Sequence, residues 1–216
     1  MSGCYLRFAL LWLVSACAGC TSAPVRYYTL IPPPDKTLPV SEPTLPIDVR
    51  IVRTPPQLNR SELMVRTGPT EVTLLENERW VSPVNDEIKD ALRLELRRSL
   101  SRMTGLRPDL TKLTLDIDVQ QLEVELGRYA LLKASWSATL SASGQRSTGA
   151  RTTTCTFQAD EKIQPGYAGM VEGYQREIAA LADVIVAVMR SPAGNMEDSC
   201  RKSFEGSSGG SGSKDH

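Results

Sequence analysis

Apolar and polar residues follow two different periods along this chain, and together they predict strands combined with two long helices. Strict alternation at 47–53 and 113–119 has the period of two that is typical of half-buried strands. At Gln120-Gln121 the apolar positions change parity, which predicts a β-bulge inside one long strand. Further strands are predicted at 26–30, 62–66, 71–75, 132–140 and 150–159. The pair at 62–66 and 71–75 forms a hairpin, and the last three strands form an antiparallel meander with a Ser/Thr-rich outer face.

Apolar residues at spacings of three and four predict two amphipathic helices. The first begins near Ser82, which we expect to cap it, with Pro83 at its first position, and it ends at Gly105. The second covers about 167–190, and Pro192 stops it. The pattern therefore predicts an α/β (α+β) single domain, with a mixed, largely antiparallel sheet packed by two main helices.

The first residues have the pattern of an export signal. Arg7 precedes an apolar run at 8–14, and small residues follow it. The run is short for a membrane-spanning helix, which needs about 20 apolar residues. Cysteine after small residues is typical of a lipoprotein signal, and two cysteines fit. Cys17, with Val14 in the aliphatic slot, gives a signal at 1–16, whereas Cys20 gives 1–19. The alternative is an ordinary secretory signal in which both cysteines are incidental.

The residue after the lipid-bearing cysteine indicates the destination of a bacterial lipoprotein. It is Ala18 or Thr21, and neither is the aspartate that usually retains lipoproteins in the inner membrane. We therefore expect anchoring in the outer membrane, facing the periplasm. Several acyl chains together give stable anchoring, whereas one chain is marginal.

Composition sets the limits of the mature domain, which we place at 25–192. It includes a proline-rich segment at 31–46, extended either as a spacer or as a loop lying against the domain. The Gly/Ser-rich stretch 205–216 is expected to be a flexible tail, either natural or a cloning remnant.

Charge and residue types narrow the chemistry. The 25 basic and 25 acidic residues leave no basic excess, so nucleic acid is not an expected partner. The one histidine is His216 in the tail, which removes histidine-based catalytic triads and metal sites from the folded domain. Asp116 and Asp118, at strand spacing, are either metal ligands or solvated residues, and we expect neither metal nor cofactor. Cys155 and Cys200 are candidates for a disulfide in an oxidising compartment.

Several segments together resemble the ABC-type transport auxiliary lipoproteins. They are Tyr27-Tyr28-Thr29-Leu30 behind the lipoprotein signal, the stretch 58–66, Arg79-Trp80 before the first helix, and Tyr167 at the start of the last helix. The resemblance covers about residues 25–190. Each motif alone is weak, and their order and spacing make the combination more specific. The Gly/Ser tail, Cys155 and Cys200 depart from the family pattern.

The resemblance implies a compact domain of mixed or antiparallel strands with two main helices. It also implies a non-enzymatic outer-membrane subunit of a system that moves lipids between the membranes. Expected partners are an MCE-domain periplasmic protein, often an ABC transporter, and further copies of the chain in a ring. Arg, Tyr and Trp dominate interface hot spots, so candidate partner contacts are Tyr27, Tyr28, Arg60, Arg79 and Trp80.

Simpler interpretations of the same residues and of the function are also open. The aromatic residues can instead belong to the core, and the basic residues of the first helix (Lys89, Arg93, Arg97 and Arg98) form either a docking surface or a solvated face. Two other functions compete with lipid transport. One is a structural or assembly lipoprotein of the envelope, and the other is a periplasmic enzyme that uses Asp116 and Asp118.

Overall fold

A computed structural model describes residues 23–34, 45–102, 110–142, 151–190 and 200. Within these residues, seven strands and two α-helices follow one another, with a short 3-10 turn at Pro56–Leu58. The strands are β1 (Arg26–Tyr28), β2 (Ile47–Arg53), β3 (Glu62–Arg66), β4 (Val72–Trp80), β5 (Leu110–Glu125), β6 (Tyr129–Ala142) and β7 (Arg151–Lys162). The helices are α1 (Val84–Ser101), between β4 and β5, and α2 (Gly166–Arg190), after β7.

The predicted α+β domain with two long helices is confirmed, but its strands divide between two sheets. A four-stranded sheet has the order β2-β5-β6-β7, in which only β2 and β5 are parallel. A three-stranded sheet has the order β1-β4-β3, with β1 parallel and β3 antiparallel to β4. Alternation along one strand reveals which of its faces is buried, but not which strand lies beside it. This is why the division into two sheets was not predicted.

Two predicted local features are confirmed, and one strand is longer than expected. The β5–β6 register shifts between Val119 and Gln121, which is the bulge that the change in parity indicated. Strands β3 and β4 form the hairpin. β4 continues beyond Leu75 to Trp80, although 76–79 are all polar. The end of this stretch is paired on both sides. Arg26 and Tyr27 of β1 lie opposite Glu78 and Arg79, and Glu62 of β3 also lies opposite Arg79.

The beginning of α1 differs from the prediction. Pro83 occupies the N-cap position, and no side chain caps the helix. The backbone N–H groups of Asp86 and Glu87 both donate to the carbonyl oxygen of Pro83. The hydroxyl of Ser82 donates instead to Glu87 Oε1 at 2.6 Å. A hydrogen bond from the hydroxyl to a charged carboxylate is stronger than one that the hydroxyl would accept from a backbone N–H. Ser82 therefore binds Glu87 and does not cap the helix.

The core lies between the helices and one face of the larger sheet. α1 packs on α2 and on β2, while α2 packs on β6 and β7. Each fully buried Leu or Ile contributes about 1.5–3 kcal/mol relative to exposure. Core side chains of α1, β5, β6 and α2 are less than 2% exposed, among them Ile88, Leu92, Leu115, Leu132, Trp136 and Ile178.

Gly173 allows α2 to approach the sheet closely. A Cβ atom at this position would lie 2.5 Å from Ile163 Cγ2 and 3.2 Å from Ala130 Cβ. Real Cβ atoms do not come this close to a neighbour without displacing it. Glycine here is therefore a packing requirement of the helix–sheet contact.

Candidate functional site

The short strand β1 is fastened to both α1 and β4, and we call this set of contacts the N-terminal clamp. Glu87 of α1 is 3% exposed, and its Oε2 accepts from the Thr29 hydroxyl at 2.8 Å and from the Leu30 N–H at 2.9 Å. From α2, the Gln175 amide donates to the Thr29 carbonyl at 3.3 Å. A buried carboxylate with several donors is strongly held. The clamp therefore fixes the direction in which the chain enters the domain.

The second half of the clamp is an ion pair beside two aromatic rings. The Arg26 guanidinium donates to both oxygens of Glu78, which is 5% exposed. Burial raises the pKa of Glu78, but hydrogen bonds from Arg26 and Tyr28 outweigh it and hold the pKa below its ordinary value. The guanidinium also lies 5.6 Å from the ring centroid of Tyr167, within the range of a cation–π contact.

The structure separates the five predicted partner contacts into two groups. Trp80 is 6% exposed and packs against Tyr174 at a centroid distance of 6.5 Å. Tyr28 is half-buried and meets Tyr167 edge-to-face at 6.1 Å. Both rings therefore support the fold at this end of the domain.

The other three predicted residues are accessible to a partner. Tyr27 is 63% exposed, and Arg79 lies opposite it in the β1–β4 register. Arg79 is 3.6 Å from the Glu62 carboxylate. Arg60 is exposed and lines a groove next to β3, which Trp80 also lines. Neither Tyr27 nor Arg79 is among the described residues that line this groove, so the five do not share one site.

The groove lies between β3 and the second half of β5. A cavity of about 270 Å³ is lined by the 3-10 turn, by Met64 and Arg66 of β3, and by Gln120–Val124 in succession. A smaller hollow continues it past Arg60 towards Trp80 and Met170. The two share Gln57, Leu58, Met64 and Leu122. The groove is therefore mainly apolar, with polar and basic side chains at its edge.

An ion pair closes one end of the groove. Arg66 donates to both carboxylate oxygens of Glu123 at 2.7 Å, and Tyr129 donates its hydroxyl to the same group. The hydrogen bonds from Arg66, with that from Tyr129 and against the effect of burial, lower the pKa of Glu123 to about 2. The carboxylate therefore remains charged at any physiological pH.

Asp116 and Asp118 lie on the polar face of β5, and the described residues supply no further ligands that would make them a metal site. Arg50 pairs with Asp116, its Nε lying 3.2 Å from Oδ1, while Asp118 is exposed. Among the residues that the structure describes, no group of three or more His, Cys, Asp or Glu side chains could hold a metal ion. The arginine makes Asp116 part of a surface ion pair.

The basic residues of α1 are partly engaged within the domain. Arg93 pairs with Asp90 at 3.0 Å and Arg98 with Glu95 at 2.6 Å. Arg98 also donates to the Pro33 carbonyl at 3.2 Å. This contact connects α1 to the start of the proline-rich segment.

Glu177 is a buried ionisable residue that was not among the candidates predicted from the sequence. Its side chain is fully buried on α2, and neither carboxylate oxygen has a hydrogen-bond partner. Burial, with smaller contributions from Glu161 and Asp160, raises the pKa of Glu177 to about 9. Its position three residues after Tyr174 and four before Leu181 places it in the apolar stripe. That spacing was a signal that could have found it.

Cys155 and Cys200 form a disulfide in the structure, with their Cα atoms 5.6 Å apart. Cys155 is buried on β7 opposite Trp136, so the bond fixes Cys200 against the inner face of the sheet.

Several predicted features lie outside the described residues. They are the lipid-bearing Cys17 or Cys20, the signal 1–16, residues 35–44 of the proline-rich segment, Gly105, Pro192 and the tail 205–216. None of the described helices is both long enough and apolar enough to cross a membrane.

The described part of the chain combines two sheets, two packed helices and a groove between β3 and β5. The family model for the ABC-type transport auxiliary lipoprotein component matches residues 28–186, and the chain belongs to this family. This match confirms the resemblance found in the sequence. No curated protein matches the chain.

Two solved structures are similar to this chain. The crystal structure of an uncharacterized protein is 20% identical, with a TM-score of 0.55 over 76% of this chain and 97% of that one. A Xanthomonas campestris protein is 16% identical, with a TM-score of 0.42 over 82% of this chain and 99% of that one. The first supports the α+β architecture.

Proposed function

We propose that this chain is the outer-membrane-anchored, non-enzymatic subunit of an envelope system that moves lipids between membranes. In this proposal an acyl-bearing Cys17, or Cys20, holds the domain at the periplasmic face of the membrane. The observation that carries the proposal is the family match over residues 28–186, because the family is defined as an auxiliary component of ABC-type transport. The N-terminal clamp supports it, since a tethered domain needs a firm attachment between its tether and its core.

The partner that we propose is an MCE-domain periplasmic protein of the same transport system. A lipid anchor confines the domain to one membrane and raises its effective concentration for any partner that reaches that membrane. A modest contact surface is then sufficient for stable association. Further copies of the chain, arranged as a ring, are part of the same proposal.

The groove beside Arg60 is our candidate for the partner contact. β2 pairs with β5 only up to Asp118, and within the described ranges residues 121–125 of β5 pair with β6 alone. The cavity of the groove lies along this stretch, since Gln120–Val124 all line it. An extended segment can add to a free strand edge through main-chain hydrogen bonds, with its side chains in apolar pockets. Arg60 would then contact the partner at the edge of this surface.

A photo-crosslinking residue at position 60 tests the partner and the surface together. The matched control carries the same residue at Thr154, which is exposed on the outward face of the edge strand β7. We expect a crosslink to an MCE-domain protein from position 60 and a much weaker one from position 154. Equal labelling from both positions would refute the groove. Absence of an MCE-domain protein from both, and from co-purification, would refute the transport role.

The anchor is tested separately by mass spectrometry of the mature N-terminus. We expect three acyl chains on Cys17, or on Cys20 if cleavage occurs later. An unmodified N-terminus after an ordinary signal cleavage would refute the anchor. Separation of the inner and outer membranes then gives the location of the lipidated protein.

A further inference from the structure

Apolar side chains that solvent reaches are concentrated at the end of the domain where the chain enters. Among the described residues, seven large apolar side chains are exposed. Four of them lie in β1, beside it or just after β4, and they are Val25, Tyr27, Ile31 and Val81. Tyr27 and Val81 are the most exposed of the seven, at 63% and 62%. Single exposed apolar residues are ordinary, but several together indicate a contact surface.

The strand register places the central members of this group on one face. Tyr27 lies opposite Arg79 in the parallel β1–β4 pair. The Val81 N–H donates to the Tyr28 carbonyl at 2.9 Å, so the pairing continues past the end of β4. Side chains two residues apart share a face of a strand, and Val81 therefore follows Arg79. We call Val25, Tyr27, Arg79 and Val81 the outer ribbon face.

The opposite side of the same ribbon is committed to the core. Glu78 and Trp80 are buried, and Tyr28 is packed against Tyr167. The clamp holds this inner side through Glu87 and Arg26. The outer ribbon face consequently has a fixed orientation relative to the domain and cannot turn inward.

The residue types on this face suit a membrane surface. Tyrosine has an apolar ring and a polar tip, and it is enriched where hydrocarbon meets water. Arginine can place its charge among anionic headgroups while its stem stays on apolar surface. Val25 and Val81 add exposed apolar area on either side of this pair. The face therefore combines an apolar centre with Arg79, whose guanidinium lies 3.6 Å from the Glu62 carboxylate of β3.

The proposed lipid anchor would bring this face close to a bilayer. Ala23, the first described residue, follows Cys20 by three positions and Cys17 by six. At about 3.6 Å per residue, even a fully extended chain spans only about 11 Å or about 22 Å. β1 begins three residues later, so the ribbon is the part of the domain nearest to the anchor.

We propose that the outer ribbon face rests on the lipid surface that carries the anchor, and that this contact gives the domain a fixed orientation on the membrane. This inference depends on the lipid anchor of the proposed function. It assigns Tyr27 and Arg79 to the membrane, whereas the sequence predicted partner contacts for them. The partner is left with the groove near Arg60.

The experiment uses the lipidated full chain in vesicles of phosphatidylethanolamine and phosphatidylglycerol in equal amounts. A single cysteine carrying an environment-sensitive fluorophore replaces Val81 in one variant and Val72 in the other. Val72 is the matched control, because it is also an exposed valine, 49% accessible, but lies at the far end of β4. Co-flotation with the vesicles is measured first. Quenching by a nitroxide on the lipid chains is measured next.

The possible results distinguish the lipid anchor from the membrane-facing orientation of the outer ribbon face. We expect both variants to co-float, and the probe at position 81 to lose roughly half or more of its emission while the probe at 72 changes little. Co-flotation with equal quenching, or none, at both positions would overturn the membrane-facing orientation and leave the anchor intact. Failure to co-float would refute the anchor and this inference with it. Protection of position 81 only after an MCE-domain protein is added would assign the face to the partner.

Discussion

Replacing the buried Glu177 by glutamine tests how the core tolerates an ionisable group. The pKa of this carboxyl is about 9 in the folded protein and 4.5 in the unfolded chain. Between these values the folded state keeps the proton that the unfolded state has lost. Stability from this residue is thus fully present below pH 4.5 and is lost as the pH rises towards 9. The wild-type protein should therefore be least stable on the alkaline side of this window.

The magnitude follows from the linkage between proton binding and unfolding. One proton difference changes the free energy of unfolding by about 1.4 kcal/mol per pH unit. From pH 5 to pH 8 the expected loss through Glu177 is therefore up to about 4 kcal/mol, which is a large fraction of the roughly 5–15 kcal/mol typical of a domain. Relaxation around the carboxyl lowers this value, so it is an upper bound.

Urea unfolding at several pH values, followed by circular dichroism, measures the effect. Glu177→Gln and the wild type differ in this one titration, so the difference between their unfolding free energies should grow steadily from pH 5 to pH 8. Glu172→Gln is the matched control, since Glu172 is exposed on the same helix and should change the pH dependence little. A constant difference between Glu177→Gln and the wild type would show that the carboxyl is hydrated or paired, and the reasoning would fail.

Three further predictions follow from packing, charge and covalent structure. Gly173→Ala should destabilise by about 1–3 kcal/mol in thermal unfolding through overpacking, although alanine normally favours a helix. Arg66→Met should cost about 1–3 kcal/mol at pH 7, because the partly exposed Glu123 carboxylate loses its cation. This cost should shrink as the pH falls from about 4.5 to 2, where Glu123 becomes protonated. Cys155→Ser, or reduction of the bond to Cys200, should cost about 4 kcal/mol, because a 45-residue separation is no longer closed.

Matched variants make each of these predictions refutable. Glu172→Ala, on the exposed face of α2, should be neutral or slightly stabilising, and a gain of stability in Gly173→Ala as well would disprove the close contact with Ile163. An Arg66→Met cost that is equal at pH 7 and pH 3 would rule out the charge of Glu123 as its cause. An unchanged melting temperature with and without reductant would show that the disulfide does not constrain the protein.

Local patterns in the sequence predicted a helix or strand correctly wherever that element buries one face against the core. The stripe of α1, the alternation in β5 and the parity change at Gln120-Gln121 each record the burial of a single element, and the structure agrees with all three. The ends of the helices and strands were harder to predict from the sequence. β4 was predicted to stop at Leu75, because residues 76–79 are all polar. The strand continues because β1 pairs with Glu78–Trp80 and β3 pairs with Arg79.

The candidate site was predicted in composition but not in arrangement. Sequence reasoning selected Tyr28 and Trp80 with Tyr27, Arg60 and Arg79, but aromatic and arginine side chains serve cores and interfaces equally well. Only the packing of α2 against β1 and β4 shows which of them face inward. The groove arises because β2 leaves β5 after Asp118, a feature of pairing that neither strand's own residues encode.

The sequence by itself determined the α+β class, the two helices, the bulge and the family, since these depend on periodicity and on local motif order. Tertiary structure alone decided the division into two sheets, the clamp on β1, the burial of Glu177 and the separation of Tyr27 from Arg60. The physical reason is distance along the chain. Burial periodicity is written into neighbouring residues, whereas the contacts of Thr29 with Glu87, or of Arg66 with Glu123, join positions more than 50 residues apart.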